Sequence, residues 1–411
     1  MSPTRVATLS EVDLTDPATH LRPDLADFWA RQRAERPVAW HPPVGGRPGF
    51  WVVSPHGLAT EVYRDSARFT SERGNVLATL LHGGDSAGGR MLAVSDGTRH
   101  RQIRRELLKS FSPANLASLR TRVREAMRGL VARAVGSGGC DFAVDVAPHI
   151  PLTAICDLLD IPVADRDELF ANASTALASQ EQHADELEAT LARNGLLFYF
   201  TKLRKRRAAA PAGDDLVGRL VGMTRGPLAL TDDELVFNCY SLLLGGDETT
   251  RLALIGTVRA LAEHPDLWAR LRAGDLDRAV FVEELLRWTT PALHAGRVAV
   301  TDTVLGDAPV RAGDVVTVWN NSANFDGTEF ADPHRLDPDR TPNRHLSFAY
   351  GPHFCLGAAL ARIELVALLD ALADLVAEIT VTGEPKPIYS TFLSGLHSLP
   401  VRFTPAGEGG S

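Results

Sequence analysis

The chain has 411 residues, of which 45% are hydrophobic and 23% charged, and its net charge at pH 7 is −8. That balance suits a globular protein with a large core and argues against a general nucleic-acid binder, which is usually basic. The four cysteines, Cys140, Cys156, Cys239 and Cys355, make neither a C-x-x-C pair nor a disulfide framework, so reduced thiols in a cytoplasm are expected. The first residues lack the apolar core of a signal peptide, and no run of about 18 apolar residues occurs, so no membrane span is expected.

Taken along the chain, residues 1–20 read as a loosely ordered segment ahead of an amphipathic helix at 25–33. A hairpin follows, with Val38-Ala-Trp40 and Phe50-Trp-Val-Val53 flanking a Pro/Gly turn. The Gly-rich stretch 74–95 reads as irregular surface. Helical spacing of Leu116, Leu119, Val123, Met127, Leu130 and Val131 predicts a helix over 114–135. Further helices are predicted at 164–178, 184–207 and 279–289. The basic run Lys202 to Arg207 reads as a solvated helix end.

Thr231-Asp-Asp-Glu234 is a capping-box pattern. The helix it opens runs towards His264, roughly 50 Å at about 1.5 Å per residue. Its apolar first half predicts burial across the core. Strand signals cluster at Arg297-Val-Ala-Val300, Val310 and Val315-Val-Thr-Val318, and again at Ile379-Thr-Val381 and Pro400-Val-Arg-Phe403. Residues 324–354 read as irregular. The pattern is mainly α with small β-sheets, arranged as one domain over 1–411.

One cysteine stands apart. Cys355 lies between Gly351 and Gly357, directly before a strong helix beginning near Leu356. A thiol at a helix N-terminus has its thiolate favoured by the helix dipole and by free backbone N–H groups. On this evidence alone Cys355 suits a ligand as well as a buried small hydrophobe.

The segment Phe348-Ala-Tyr-Gly351-Pro-His353-Phe-Cys355-Leu-Gly357 resembles the haem-binding loop of the cytochrome P450 family, with Ala349 where the family has its first glycine. Three further motifs fall in the family's order. Glu284-Leu-Leu-Arg287 matches Glu-x-x-Arg, whose spacing puts both side chains on one helix face, and Arg340 is the candidate partner that locks them. Leu244-Gly-Gly-Asp-Glu248-Thr249-Thr250 resembles the central-helix motif, in which paired glycines cost about 1 kcal/mol each and so imply close approach of something large. His100 and Arg104 match His-x-x-x-Arg.

The resemblance implies the P450 fold, with haem b between the long central helix and the cysteine loop, and Cys355 as the iron's ligand. It implies His100, Arg104, Arg297 and His353 around the haem propionates, and Glu248 and Thr249 as the acid–alcohol pair that delivers protons. By family position, Ser241, Leu244, Gly245, Ala292, Leu293, His294 and Leu393 would line the substrate pocket. His294 reads either as a polar anchor for substrate or as a satisfied polar residue.

The implied activity is a cytoplasmic, monomeric haem-thiolate monooxygenase. It would hydroxylate or epoxidise a lipophilic small molecule, free or carrier-bound, in secondary metabolism. Electrons would come from a ferredoxin and its reductase, with Arg99, Arg101, Arg104, Arg105 and Lys109 as a candidate docking face. The alternatives are a haem-thiolate oxidase that forms rings or couples aryl groups without retaining oxygen, and a haem-binding sensor with no turnover.

Overall fold

The computed structural model describes Leu9 and residues 12–178, 186–209 and 215–407, and helices supply most of the regular structure. The helix predicted at 25–33 runs Leu25–Glu35, that at 114–135 runs Pro113–Gly136, and that at 164–178 runs Val163–Ala178. The helix expected over 184–207 is Glu186–Ala208, its first two expected positions lying outside the described residues. So do 1–8, 10 and 11 of the expected N-terminal segment. Leu9 and Leu14 of that segment are buried, and the Leu9 N–H donates to the Trp40 carbonyl at 2.9 Å.

The central helix spans Asp232–Glu263. Its predicted cap forms in full: the Glu234 N–H donates to Thr231 Oγ1 at 3.2 Å, and the Thr231 N–H donates to Glu234 Oε2 at 2.7 Å. This satisfies two backbone donors that a helix start otherwise leaves open. Arg99 adds an ion pair to Glu234, 2.6 Å away. Apolar residues on several sides of the helix are buried, among them Leu235, Leu243, Leu252 and Ile255. The helix therefore crosses the core. Against it packs the helix Ala358–Leu375, which follows Cys355 and also packs along Pro113–Gly136.

The largest sheet has five strands: β1 (Val38–His41), β2 (Phe50–Val53), β3 (Phe69–Thr70), β4 (His294–Ala299) and β5 (Val315–Trp319), in the order β1-β2-β5-β4-β3. β1 and β2 form the predicted hairpin, with Val38 opposite Val53. β4 begins at His294, earlier than the strand expected from Arg297, because pairing with β5 starts at His294 opposite Trp319. A smaller sheet joins Val376–Val381, Pro400–Pro405 and Cys140–Asp141. The stretch 74–95 is less irregular than expected, since Leu77–Leu81 is helical with its leucines packed inward. Among the described residues no helix is long and apolar enough to cross a membrane.

One buried polar network ties the irregular stretch 324–345 to the helix Arg278–Thr289. Glu284 and Arg287 are both fully buried and meet in two hydrogen bonds of 2.7 Å. Arg340 Nε reaches Glu284 at 3.0 Å, and Asn343 Nδ2 at 2.9 Å. Arg287 also donates to the Asn324 and Pro333 carbonyls and lies over the rings of Phe325 and Phe330. Removing one partner of a buried pair strands the other's charge. Glu284→Gln is therefore expected to cost about 3–5 kcal/mol, read as a lower urea midpoint with an unchanged denaturant slope.

Candidate active site

The cysteine loop closes through a hydrogen bond from the Cys355 N–H to the Phe348 carbonyl at 2.9 Å. Ala349 and Gly351 both take left-handed backbone angles, with φ of 55° and 69°. A Cβ at Gly351 would stand 2.9 Å from the Tyr63 carbonyl oxygen, so glycine is required there. At Ala349 the same backbone is held by a residue with a Cβ, a strain of about 1–2 kcal/mol.

Burial pushes the Cys355 thiol up, while backbone N–H groups of Gly357 and Ala358 and the charges of Arg104 and Arg362 pull it down. Arg362 is itself fixed on Glu283 by hydrogen bonds of 2.6 and 2.7 Å. A bound metal cation would complete the deprotonation. Burial pushes Cys140 up to about 11 and Cys156 up to about 12, and raises Cys239 as well. None of these three borders the cavity that Cys355 borders.

That cavity, about 330 Å³, lies between the cysteine loop and the central helix, within the size range of small-molecule sites. The helix contributes Ser241, Leu242, Gly245, Gly246, Thr249 and Thr250. These are spaced i, i+1, i+4, i+5, i+8, i+9, so they form one stripe. The two glycines have different reasons. A Cβ at Gly245 would meet nothing within 4 Å, whereas one at Gly246 would press on Ile155 at 3.2 Å. Gly245 opens the cavity, and Gly246 lets Ile155 of the helix His149–Leu158 pack close.

Glu248 falls off this stripe. Its carboxylate pairs with Arg251 one turn on, outside the cavity wall. Leu244 falls off it too. Ala292 and His294 border the cavity, as do Pro291 and Ala295, while Leu293 borders a neighbouring cleft. Leu393 likewise borders a neighbouring cleft while Phe392 borders the main cavity. Of the pocket residues expected from sequence, Ser241, Gly245, Ala292 and His294 line the cavity, and Leu244, Leu293 and Leu393 do not.

His294 is already engaged. Its Nε2 accepts from the Leu77 N–H at 3.0 Å, its ring packs on Trp319, and burial holds its pKa down to about 3. It fastens the Leu77–Leu81 segment and is neutral. Asn238, absent from the expected set, borders the cavity and takes the Leu92 N–H on Oδ1 at 2.9 Å while donating to the Glu234 carbonyl. An asparagine inside an otherwise apolar helical run was the signal available for it.

Of the four expected basic side chains, His100, Arg104 and His353 border the cavity and Arg297 does not. The His100 and His353 rings lie 4.3 Å apart. His353 Nε2 meets Asp96 Oδ1 at 2.9 Å. Arg104 borders the cavity and donates to the Phe354 carbonyl. Arg297 is buried over the Tyr63 ring and donates to the Gly296 carbonyl at 2.7 Å. Burial depresses all four, taking His100 to about 4.

Buried His100 Nε2 has no hydrogen-bond partner, and no carboxylate ion-pairs with Arg297 or Arg104 among the described residues. The buried Arg297 guanidinium calls for an anion, and the unpartnered His100 nitrogen for a hydrogen-bonding group. A soft thiolate donor on one wall, open apolar space above it and cationic donors at one edge fit an iron porphyrin bearing two carboxylates.

Three comparisons bear on this arrangement. Residues 188–403 match the family model described as Cytochrome P450. The chain is 45% identical over 396 residues to "Cytochrome P450 NovI" of Streptomyces niveus, covering 96% of this chain and 97% of that one. It is similar in structure to P450 OxyD, described as involved in the biosynthesis of vancomycin-type antibiotics, with a TM-score of 0.88, 37% identity, and coverage of 96% and 100%. It is also similar to P450BioI in complex with an acyl carrier protein bearing hexadec-9Z-enoic acid, with a TM-score of 0.82, 25% identity, and coverage of 92% and 98%.

The loop geometry makes two substitutions opposite in sign. Gly351→Ala is expected to cost about 1–3 kcal/mol through its left-handed backbone and the Tyr63 contact. Ala349→Gly is expected to gain up to about 1 kcal/mol by relieving strain. Urea midpoints of the two variants measure both.

Proposed function

The chain belongs to the cytochrome P450 family and is a haem-thiolate monooxygenase, and from this premise we propose that it inserts one oxygen atom of O2 into a C–H or C=C bond of a lipophilic small molecule of secondary metabolism. The observation that carries the reading is the threonine-bearing stripe of the central helix facing Cys355 across an apolar cavity. Cys355 would hold the iron, and His100, Arg104, Arg297 and His353 would hold the carboxylates. The bound haem supplies the oxidising chemistry, and thiolate ligation favours cleavage of the O–O bond, a property of the family as a whole.

The chain's own part is positioning and proton control. Thr249 Oγ1 presents a hydroxyl proton to the cavity. Glu248, one residue back, would return that proton by turning away from Arg251. Leu92, Ile155, Leu242 and Phe392 supply apolar wall, which excludes water and suits a lipophilic substrate. With His294 and Asn238 already bonded, Ser241 and Asn75 are the cavity's candidates for polar contact with substrate.

Electrons would enter from a ferredoxin and its reductase on the cysteine side. There Arg101, Arg104, Arg105 and Lys109 surround a shallow depression with Gly351 and Pro352. Arg99 leaves this set, because it is spent on Glu234. A positive face steers an acidic partner. The likeness to P450BioI and OxyD supports a substrate delivered on a carrier protein in the course of antibiotic-type biosynthesis.

Reconstitution with a ferredoxin, its reductase and isotopically labelled dioxygen tests the reading, with candidate substrates offered free and carrier-bound. One labelled oxygen in the product is expected. A product two hydrogens lighter and without label would establish ring formation or coupling instead. Thr249→Ala is expected to lower product per electron consumed by about tenfold or more, within the range of general acid catalysis.

A further inference from the structure

Arg104 and Arg362 are the two cations whose charges reach the Cys355 sulfur. Arg104 borders the cavity, where it is a candidate for the cofactor's carboxylates. Arg362 does not border the cavity. It sits in the second turn of the helix Ala358–Leu375, and no step described above uses it.

Two groups hold Arg362 in place. Its Nε and Nη2 donate to the two oxygens of Glu283, a bidentate pairing that fixes the plane of the guanidinium. Its guanidinium carbon also lies 4.8 Å from the centre of the Phe348 ring, which attracts a cation. Phe348 belongs to the cysteine loop, since its carbonyl takes the Cys355 N–H. Glu283 is fixed in turn. His345 Nδ1 accepts from the Ser347 N–H at 3.3 Å, so Nε2 carries the ring proton and donates to Glu283 Oε2, also at 3.3 Å. Burial opposes the charge on Glu283, but the hydrogen bonds from Arg362 and His345 hold its carboxyl down to about 2. Hydrogen bonding to Glu283 raises Arg362, and the charge of Cys355 adds to it. The sulfur and the guanidinium therefore each feel the other.

A positive charge held near a thiolate draws electron density away from what the sulfur gives a bound metal. A metal that receives less density takes up an electron more readily. A carboxylate in contact with the guanidinium offsets part of that pull, because opposite charges at similar distances partly cancel. Both side chains are partly buried, so solvent and salt screen them incompletely.

We propose that the Arg362–Glu283 ion pair sets how readily the thiolate-bound iron accepts its first electron. Arg362 eases reduction by its charge near Cys355, while Glu283 fixes where the guanidinium stands and limits its pull. The step concerned moves one electron from the external donor to ferric iron, giving ferrous iron, with no bond made or broken. Both residues act through Cys355 and are positioning residues. Easier reduction has an opposite side, since a less donating sulfur gives less help to cleavage of the O–O bond. The pair thus fixes a compromise between the two. The inference rests on the haem-thiolate reading.

The reduction potential of the haem-loaded protein, followed by absorbance in a redox titration, tests this. Arg362→Gln is expected to lower it, so that at a fixed solution potential the ratio of reduced to oxidised protein falls about threefold or more. Glu283→Gln keeps an acceptor for the guanidinium, loses the negative charge, and is expected to raise the potential. Arg362→Lys keeps the charge and is expected to stay near the wild type. A merely structural pair would move both neutralising variants in one direction. Shifts of the same sign in the two, no fall in Arg362→Gln, or an Arg362→Lys value as low as that of Arg362→Gln overturns the proposal. No rise in Glu283→Gln overturns the limiting part given to Glu283. Where Arg362→Gln does not fold, a fall in Glu283→Gln or in Arg362→Lys overturns the proposal, and a rise in the first with none in the second supports it. The reduced protein's Soret band under carbon monoxide separates the two readings. Its failure to show thiolate ligation in the wild type contradicts the haem-thiolate reading, whereas its presence beside unmoved potentials overturns this inference alone.

Discussion

The fully buried carboxylate of Glu284 accepts hydrogen bonds from Arg287, Arg340, Asn343 and the Asp337 backbone. Through them the helix Arg278–Thr289 grips a long stretch that has little regular structure of its own. That stretch leads straight into the cysteine loop. Asn324 Nδ2 donates to Ser347 Oγ at 2.9 Å, and Ser347 Oγ donates to the Leu286 carbonyl at 2.7 Å. The loop is thus held at its entrance by the same helix. At its exit it is held by the start of Ala358–Leu375. A buried ionic cluster is weak evidence for stability as such, because desolvation opposes it. Here its value is positional, since it fixes irregular backbone that packing alone would not define.

The cavity follows from that anchoring. One wall is a loop whose buried thiol is pushed up by desolvation and pulled back towards the thiolate by backbone N–H groups and two arginines. The opposite wall is a helix thinned by Gly245. Basic side chains collect at one edge, where His353 meets Asp96 and Arg297 pairs with no carboxylate among the described residues. In a protein of net charge −8, a buried guanidinium such as that of Arg297, with no carboxylate partner among the described residues, is costly unless an anion arrives. The cost is the structural trace of the cofactor's carboxylates.

Much of this was legible in the sequence because it depends on local rules. Thr231 and Glu234 announce the central helix through a capping box. Glu284 and Arg287 share a helix face by spacing alone. The motif order led to Cys355 and the cationic set. Three features needed three dimensions. Only the folded chain decides that Ala292 and Phe392 border the cavity while Leu293 and Leu393 do not. The helical phase of the Ser241 stripe leaves Leu244 and Glu248 outside it. His294 was ambiguous in sequence until the Leu77 N–H showed where its ring nitrogen is used.

Thiolate ligation by Cys355 is the claim on which the rest stands. The most direct measurement is the absorption spectrum of the purified, reduced protein under carbon monoxide. The account predicts the strongly red-shifted Soret band that thiolate ligation gives, lost in Cys355→Ser and kept when Cys140, Cys156 or Cys239 is changed to serine. A Soret band at the position typical of a histidine-ligated haem, or a red-shifted band that survives Cys355→Ser, would contradict it.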